Sequence, residues 1–179
     1  QPIVSTNIYR ALNLKDKAAG QNVVIALASH HGYNMADAIV VNRSSIDRGL
    51  HRVAMFKTYE TEERMYPGGQ KDKIELPTPE VVGYRGEESY KHLGEDGIVM
   101  PESDVNGKEV LVGKTSPPRF LEEISVFGAV EEKKRESSLS LKSGEKGKVD
   151  SVMITEGPSG NRLVKVRVRS VKTPEIGDK

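Results

Sequence analysis

A chain of 179 residues with 36% apolar residues, 30% charged residues and a formal net charge of +1 is long enough for one sizeable domain or two small ones. It contains no cysteine, which excludes disulfides, thiolate metal sites and cysteine nucleophiles and suits an intracellular setting. No basic stretch followed by an apolar run marks a signal peptide, and the longest apolar run, Val23 to Ala28, is too short to span a bilayer.

In chain order, residues 22–28 read as a short buried strand, because they are continuous, apolar and bounded by Gly20 and by His30-His31-Gly32. A second apolar run follows at Ala38-Ile-Val-Val41. Asn42 to Gly49 has the pattern of a short helix or turn, with Ser44 or Ser45 as its N-cap and Gly49 as its stop. Val53 to Tyr59 alternates weakly, as a strand does, and Tyr66-Pro-Gly-Gly69 is a strong turn signal. Ile98-Val-Met100 and Val110-Leu-Val112 are predicted strands, with an Asn-Gly turn at Asn106-Gly107 just before the second. Pro117-Pro118 opens a polar stretch up to Lys148, which reads as an exposed loop with one short helix around Leu121 to Val130. Val149 to Thr155 and Leu163 to Val168 flank Gly157-Pro-Ser-Gly160 and predict a β-hairpin. The whole pattern predicts a mainly β chain with short helices, and no internal repeat is visible.

The last eighteen residues carry the clearest electrostatic signal. Val164, Val166 and Val168 alternate with Lys165, Arg167 and Arg169, so a strand here sets valines on one face and cations on the other. From Arg162 to Lys179 there are six basic residues against two acidic ones. Ammonium and guanidinium groups hold phosphate oxygens without reading base sequence, so Arg169, Lys172 and Lys179 are candidate nucleic-acid contacts. The competing reading is a solvated strand face. A second candidate is Asp37 in Gly32-Tyr-Asn-Met-Ala-Asp37, where a turn between two apolar runs projects one carboxylate. That carboxylate serves either the local backbone or a metal-bound phosphate, and no second carboxylate stands close in sequence. His30 and His31, adjacent on a strand, point to opposite faces and make a poor metal pair. No Walker loop, His-Glu-x-x-His motif or nucleophile triad is present, so no catalytic residue and no metal ligand is assigned. The chain ends at Gly-Asp-Lys179 without a cap or polar tail, which suggests a cut inside a larger protein.

These same stretches carry a resemblance. Gly20-Gln-Asn-Val-Val-Ile-Ala26, Gly32-Tyr-Asn-Met-Ala-Asp-Ala-Ile-Val40 and Asn42-Arg-Ser-Ser-Ile-Asp-Arg-Gly-Leu50 resemble the second-largest subunit of multisubunit DNA-directed RNA polymerases. So do Tyr66-Pro-Gly-Gly69, Gly113-Lys-Thr-Ser-Pro-Pro118, Val164-Lys-Val-Arg-Val-Arg169 and Pro174-Glu-Ile-Gly-Asp-Lys179. The version is archaeal in character, and the likeness runs almost from end to end.

The resemblance implies a β-rich hybrid-binding domain in two parts, residues 1–52 and 165–179. Between them it implies a wall (flap-like) domain over 53–164, with an exposed loop at about 119–148. It implies that Lys172 and Lys179 meet the RNA 3′ end and phosphates near the active centre, and that Asp37 lies near the incoming nucleotide. The family usually shows Glu before that Asp, whereas this chain has Ala36, so the acidic pair is broken. The magnesium ions of such an enzyme are ligated mainly by the largest subunit, and the isolated chain is expected to be inactive. The implied partners are the other polymerase subunits, template DNA, nascent RNA and general transcription factors, without any membrane. The implied location is the cytoplasm, at the nucleoid. An alternative is a structural wall module that mainly binds transcription factors or partner subunits. A free-standing RNA-binding protein fits poorly, because three Phe and six Tyr offer few stacking platforms.

Overall fold

The computed structural model describes residues 3–17, 20–118 and 133–179. The chain divides into two compact units, Gln1–Val53 with Val171–Lys179, and Ala54–Ser170. Among the described residues, no helix is long and apolar enough to cross a membrane.

The larger unit is antiparallel β structure built on the predicted hairpin. Its strands, among the described residues, are β1 (Val53–Glu62), β2 (Lys73–Ile74), β3 (Asp104–Asn106), β4 (Val110–Val112), β5 (Lys114–Ser116), β6 (Arg135–Glu136), β7 (Leu139–Ser140), β8 (Lys146–Glu156) and β9 (Arg162–Lys172). They form sheets in the order β1-β9-β8-β3, β2-β5-β6 and β4-β7. The β8–β9 register sets Ile154 opposite Val164, Val152 opposite Val166 and Val149 opposite Val168. Opposed residues on paired strands share a face, so this register gathers the branched side chains on one side of the sheet. Val149, Val164, Val166 and Val168 are buried there with Val105, Leu111, Val112 and Leu141. The turn bond from Gly157 N–H is accepted by Asn161 O at 2.7 Å, and Gly160 takes φ +73°, which a glycine accommodates without strain.

Two of the quoted motifs meet in a buried polar network. Asp72, with only 1% of its surface exposed, accepts from the Ser116 hydroxyl at 2.6 Å, the Tyr66 hydroxyl at 3.1 Å and the Lys114 ammonium at 3.2 Å. This ties the Tyr66-Pro-Gly-Gly turn to β5. Burial works to raise the Asp72 carboxyl, but the Ser116 and Lys114 contacts outweigh it and hold the group below its ordinary value. Next to it, Glu75 accepts from Lys134 and from the Thr115 hydroxyl, both at 2.7 Å, and pairs with Lys73 at 2.9 Å. Gly113 permits the close crossing at this point, since a Cβ there would lie 2.5 Å from Glu75 O.

Several elements differ from expectation. Ile98 to Met100 is buried for its first two residues but makes isolated bridges, Leu93 with Val99 and Ile98 with Val112, instead of a strand. Gly97 and Pro101 close the segment on both sides and leave it too short to extend a ladder. The expected exposed loop is replaced in its second half by β6 and β7, and Leu141 is buried. Leu139 and Leu141 stand two residues apart; Leu141 is buried and Leu139 packs partly buried against the core, which outweighs the polar residues around them. Residues 119–132, with the helix expected around Leu121 to Val130, lie outside the described residues.

The smaller unit holds α1 (Asn7–Ala11), a 3₁₀ turn at Leu14–Lys17 and α2 (Arg43–Asp47). Thr6 caps α1 by accepting from Tyr9 N–H at 3.2 Å. The N-cap of α2 is Asn42 and not Ser44 or Ser45: its Oδ1 accepts from Ser45 N–H at 3.1 Å. Asn is among the strongest capping residues and here precedes both serines. Residues 22–28 and 38–41 form no strand and are exposed throughout. An extended apolar run needs a neighbour to complete its ladder, and this unit offers none among its described residues. None of those residues is buried.

Two outcomes follow for the larger unit. Leu111 is fully buried, so Leu111→Ala is expected to lower the unfolding free energy in urea by about 2–5 kcal/mol. Burial works to raise the Glu75 carboxyl, but Lys134, Lys73 and Thr115 hold it at about 2 against an ordinary 4.5. A carboxyl depressed on folding stabilises fully above its unfolded value and loses that contribution as the pH falls through its folded value. Stability measured by urea titration is therefore expected to decline from pH 4.5 towards 2, less steeply in Glu75→Gln.

Candidate nucleic-acid interface

The cationic face of β9 is built as predicted, with the valines inside, but its charges are engaged. Lys165 pairs with Glu60 at 3.1 Å. The β8–β9 register shifts between Val149 and Ser151, so Asp150 is the extra residue of a bulge. From there Asp150 accepts from Arg167 Nε at 2.7 Å and from Arg169 at 3.1 Å. Arg169 also donates to Glu102 at 2.8 Å. The Arg167 hydrogen bond, partly opposed by burial and reinforced by Arg169, holds the Asp150 carboxyl below its ordinary value. Arg167 additionally lies over the Phe56 ring, 5.5 Å from its centroid. The strand face is thus a ladder of matched charges with an aromatic edge.

Lys172 and Lys179 differ from these. Both are exposed, and neither has an ion-pair partner among the described residues. The backbone between them turns at Glu175–Asp178. There Glu175 N–H donates to Asp178 Oδ2 at 2.9 Å and Gly177 takes φ +98°. The Asp178 carboxylate is therefore occupied by the turn itself, whereas Glu175 enters it only through its backbone. The ammonium groups on either side stay available.

Asp37 is exposed in a strained loop. Ala36 and Asp37 take φ +54° and +65° at the centre of a reverse turn closed by Ala38 N–H to Met35 O at 3.2 Å. For an alanine this left-handed conformation costs about 1–2 kcal/mol. His31 is also left-handed, at φ +48°, so the expected strand geometry of the histidine pair does not arise. The His30 and His31 rings pack edge to face, 5.2 Å apart.

In the larger unit a cleft of about 380 Å³ opens over the Asp72 network, with Arg64, Tyr66, Gln70, Lys114 and Arg135 among its walls. It carries charges of both signs and therefore no focused field for a polyanion. The sequence shows its two sources, the Tyr66 turn and the Lys114–Ser116 motif, but not that they converge.

The family model for RNA polymerase Rpb2, domain 6, matches residues 1–179. The chain belongs to the RNA polymerase Rpb2 domain 6 family. It is 49% identical over 178 residues to DNA-directed RNA polymerase subunit Rpo2 of Sulfolobus acidocaldarius, covering 99% of this chain and 16% of that protein. It is 36% identical over 180 residues to DNA-directed RNA polymerase II subunit RPB2 of Schizosaccharomyces pombe, covering all of this chain and 15% of that protein. With DNA-directed RNA polymerase II subunit 2 of Arabidopsis thaliana it shares 37% identity over the same length. The chain therefore spans about one-sixth of the curated relatives it matches.

Within this Rpb2 domain 6 chain, Asp37, Lys172 and Lys179 belong to the smaller unit and Arg169 to the larger. Among the described residues, no group of three or more His, Asp or Glu side chains is placed to hold a metal ion. Asp37 contributes a single carboxylate, with Ala36 beside it, which does not fit a complete magnesium site.

Asp150 is the carboxylate that the two strand arginines share. Asp150→Asn leaves Arg167 without its carboxylate and Arg169 with Glu102 alone. The variant is expected to elute from a heparin column at higher salt than the parent chain. Unchanged elution means that other groups neutralise the two guanidiniums.

Proposed function

We propose that this chain is the portion of a DNA-directed RNA polymerase second-largest subunit that contacts the RNA–DNA hybrid, the RNA 3′ end and the phosphates of the incoming nucleotide. The activity is that of the assembled nucleotidyltransferase, with the other subunits, above all the largest, as partners. Residues 1–52 and 165–179 act as hybrid-binding parts. Residues 53–164 act as the wall. Work on template DNA and nascent RNA sets the chain at the nucleoid of the cytoplasm.

The observation that carries this reading is the contrast along the C-terminal strand and tail. Lys165, Arg167 and Arg169 are matched by carboxylates, whereas Lys172 and Lys179 keep exposed ammonium groups without such partners among the described residues. An unmatched ammonium beside a phosphate releases counterions and stabilises developing charge. It contributes position and charge, not proton transfer. Arg169 adds a weaker contact, since binding a phosphate requires it to release Asp150 or Glu102. Asp37 orients the nucleotide side of the site through its carboxylate. Magnesium, bound mainly by another subunit, neutralises the reacting phosphates.

A second reading is supported by the hairpin itself. Its charge-matched face, with Met153 exposed on β8 and Phe56 exposed on the neighbouring β1, suits a protein surface better than a polyanion, so the wall portion also serves general transcription factors or neighbouring subunits. The two readings separate in the assembled polymerase. With Lys172→Ala and Lys179→Ala, the dependence of log affinity on log salt for an RNA–DNA hybrid scaffold is expected to flatten by about 2, roughly 0.9 per lost phosphate contact. An unchanged slope and affinity removes the hybrid-contacting role and leaves the protein-binding one.

A further inference from the structure

Asn34 stands three residues before Asp37, and its side chain spans the entrance of the loop. Its Oδ1 accepts from His30 N–H at 3.0 Å, and its Nδ2 donates to Ala28 O at 2.6 Å. Among the described residues these are the only side-chain hydrogen bonds between residues 28 and 38. The backbone beyond the clamp folds through consecutive turns, with Tyr33 N–H to His30 O at 3.0 Å, Met35 N–H to Gly32 O at 3.4 Å and Ala38 N–H to Met35 O at 3.2 Å.

The last of these turns has positive φ at both central residues, Ala36 and Asp37. That is the type I′ pattern, which favours Asn and Gly because the left-handed region is accessible to them. Alanine has neither the freedom of glycine nor a side-chain oxygen to support the conformation. A turn that its own residues disfavour persists when the surroundings over-determine it. The Asn34 clamp is the feature in place to do so, because it fixes where the loop begins and therefore which residues occupy the turn centre.

We propose that Asn34 is a positioning residue: by holding Ala28 and His30 it sets the register in which Ala36 and Asp37 form their turn, and so the direction in which the Asp37 carboxylate meets the incoming nucleotide. The inference rests on the reading of Asp37 given under Proposed function. Asn34 touches no reacting atom and acts through Asp37.

The test uses the assembled polymerase carrying the full-length subunit, with steady-state nucleotide incorporation on a fixed scaffold. Asn34→Ala is expected to lower kcat/KM for nucleotide by roughly tenfold, as a misplaced group near a reacting centre does. Asp37→Ala is expected to lower it at least as far, and the double variant no further than Asp37→Ala, since both act through one carboxylate. Ala36→Asn, which suits the left-handed turn, is expected to restore part of the loss in the Asn34→Ala background. Should Asn34→Ala fail to assemble, Asn34→Asp keeps the acceptor to His30 and loses the donor to Ala28, and a smaller loss in the same direction is expected. Parental kinetics in the Asn34 variants alongside an impaired Asp37→Ala, or additive losses in the double variant, overturn the proposal while leaving the role of Asp37 intact. A fully active Asp37→Ala overturns the role of Asp37 and the proposal together.

Discussion

The structure depends on the pairing of β8 with β9. Each buried valine on that hairpin removes a branched side chain from water, a gain of about 1.5–3 kcal/mol per residue. Val149, Val164, Val166 and Val168 lie in one contiguous cluster with Leu111, Val112 and Leu141. A one-residue slip would turn every valine to solvent and every cation inward, so the register is held by both faces at once. The shift at Asp150 is a local exception within this pairing, and it positions the carboxylate that the arginines use.

Charge in this chain is sorted by whether it is matched. Burial of Asp72 is tolerated because hydroxyl groups and Lys114 satisfy its oxygens, and Glu75 is held ionised by two ammonium groups and a hydroxyl. The strand cations are satisfied by Glu60, Asp150 and Glu102 in the same manner. These contacts fix geometry more than they add stability, since exposed pairs contribute little. Lys172 and Lys179 are among the described cations that have no carboxylate partner and so can act on something outside the chain.

The two units differ in kind. The larger one has a core. The smaller one has none among its described residues, and Val24, Leu27 and Ile39 stand open to solvent. Its loop geometry is nonetheless specific, with side-chain clamps at Asn34 and at Gln21, which bonds both Gly49 O and His51 N–H. Order here comes from polar contacts, which define local shape without requiring a buried core.

The hairpin, the strand at Val53, the Tyr66 turn and the short helix after Asn42 were all legible from the sequence, because each rests on local periodicity or on the backbone preferences of Gly, Pro and Asn. So was the family, through ordered motifs along the whole chain. The sequence also suggested strands at 22–28 and 38–41 that do not form, since an apolar run specifies burial without supplying its neighbour. Residues 133–148 were misread for the opposite reason: isolated leucines among serines and lysines find distant partners that no local pattern reveals. The candidate site divides along the same line. Which residues carry charge was evident from the sequence, but which of those charges are already spent depended on Asp150, Glu102 and Glu60. Those carboxylates come from other strands, and long-range pairing is decided only when the chain folds.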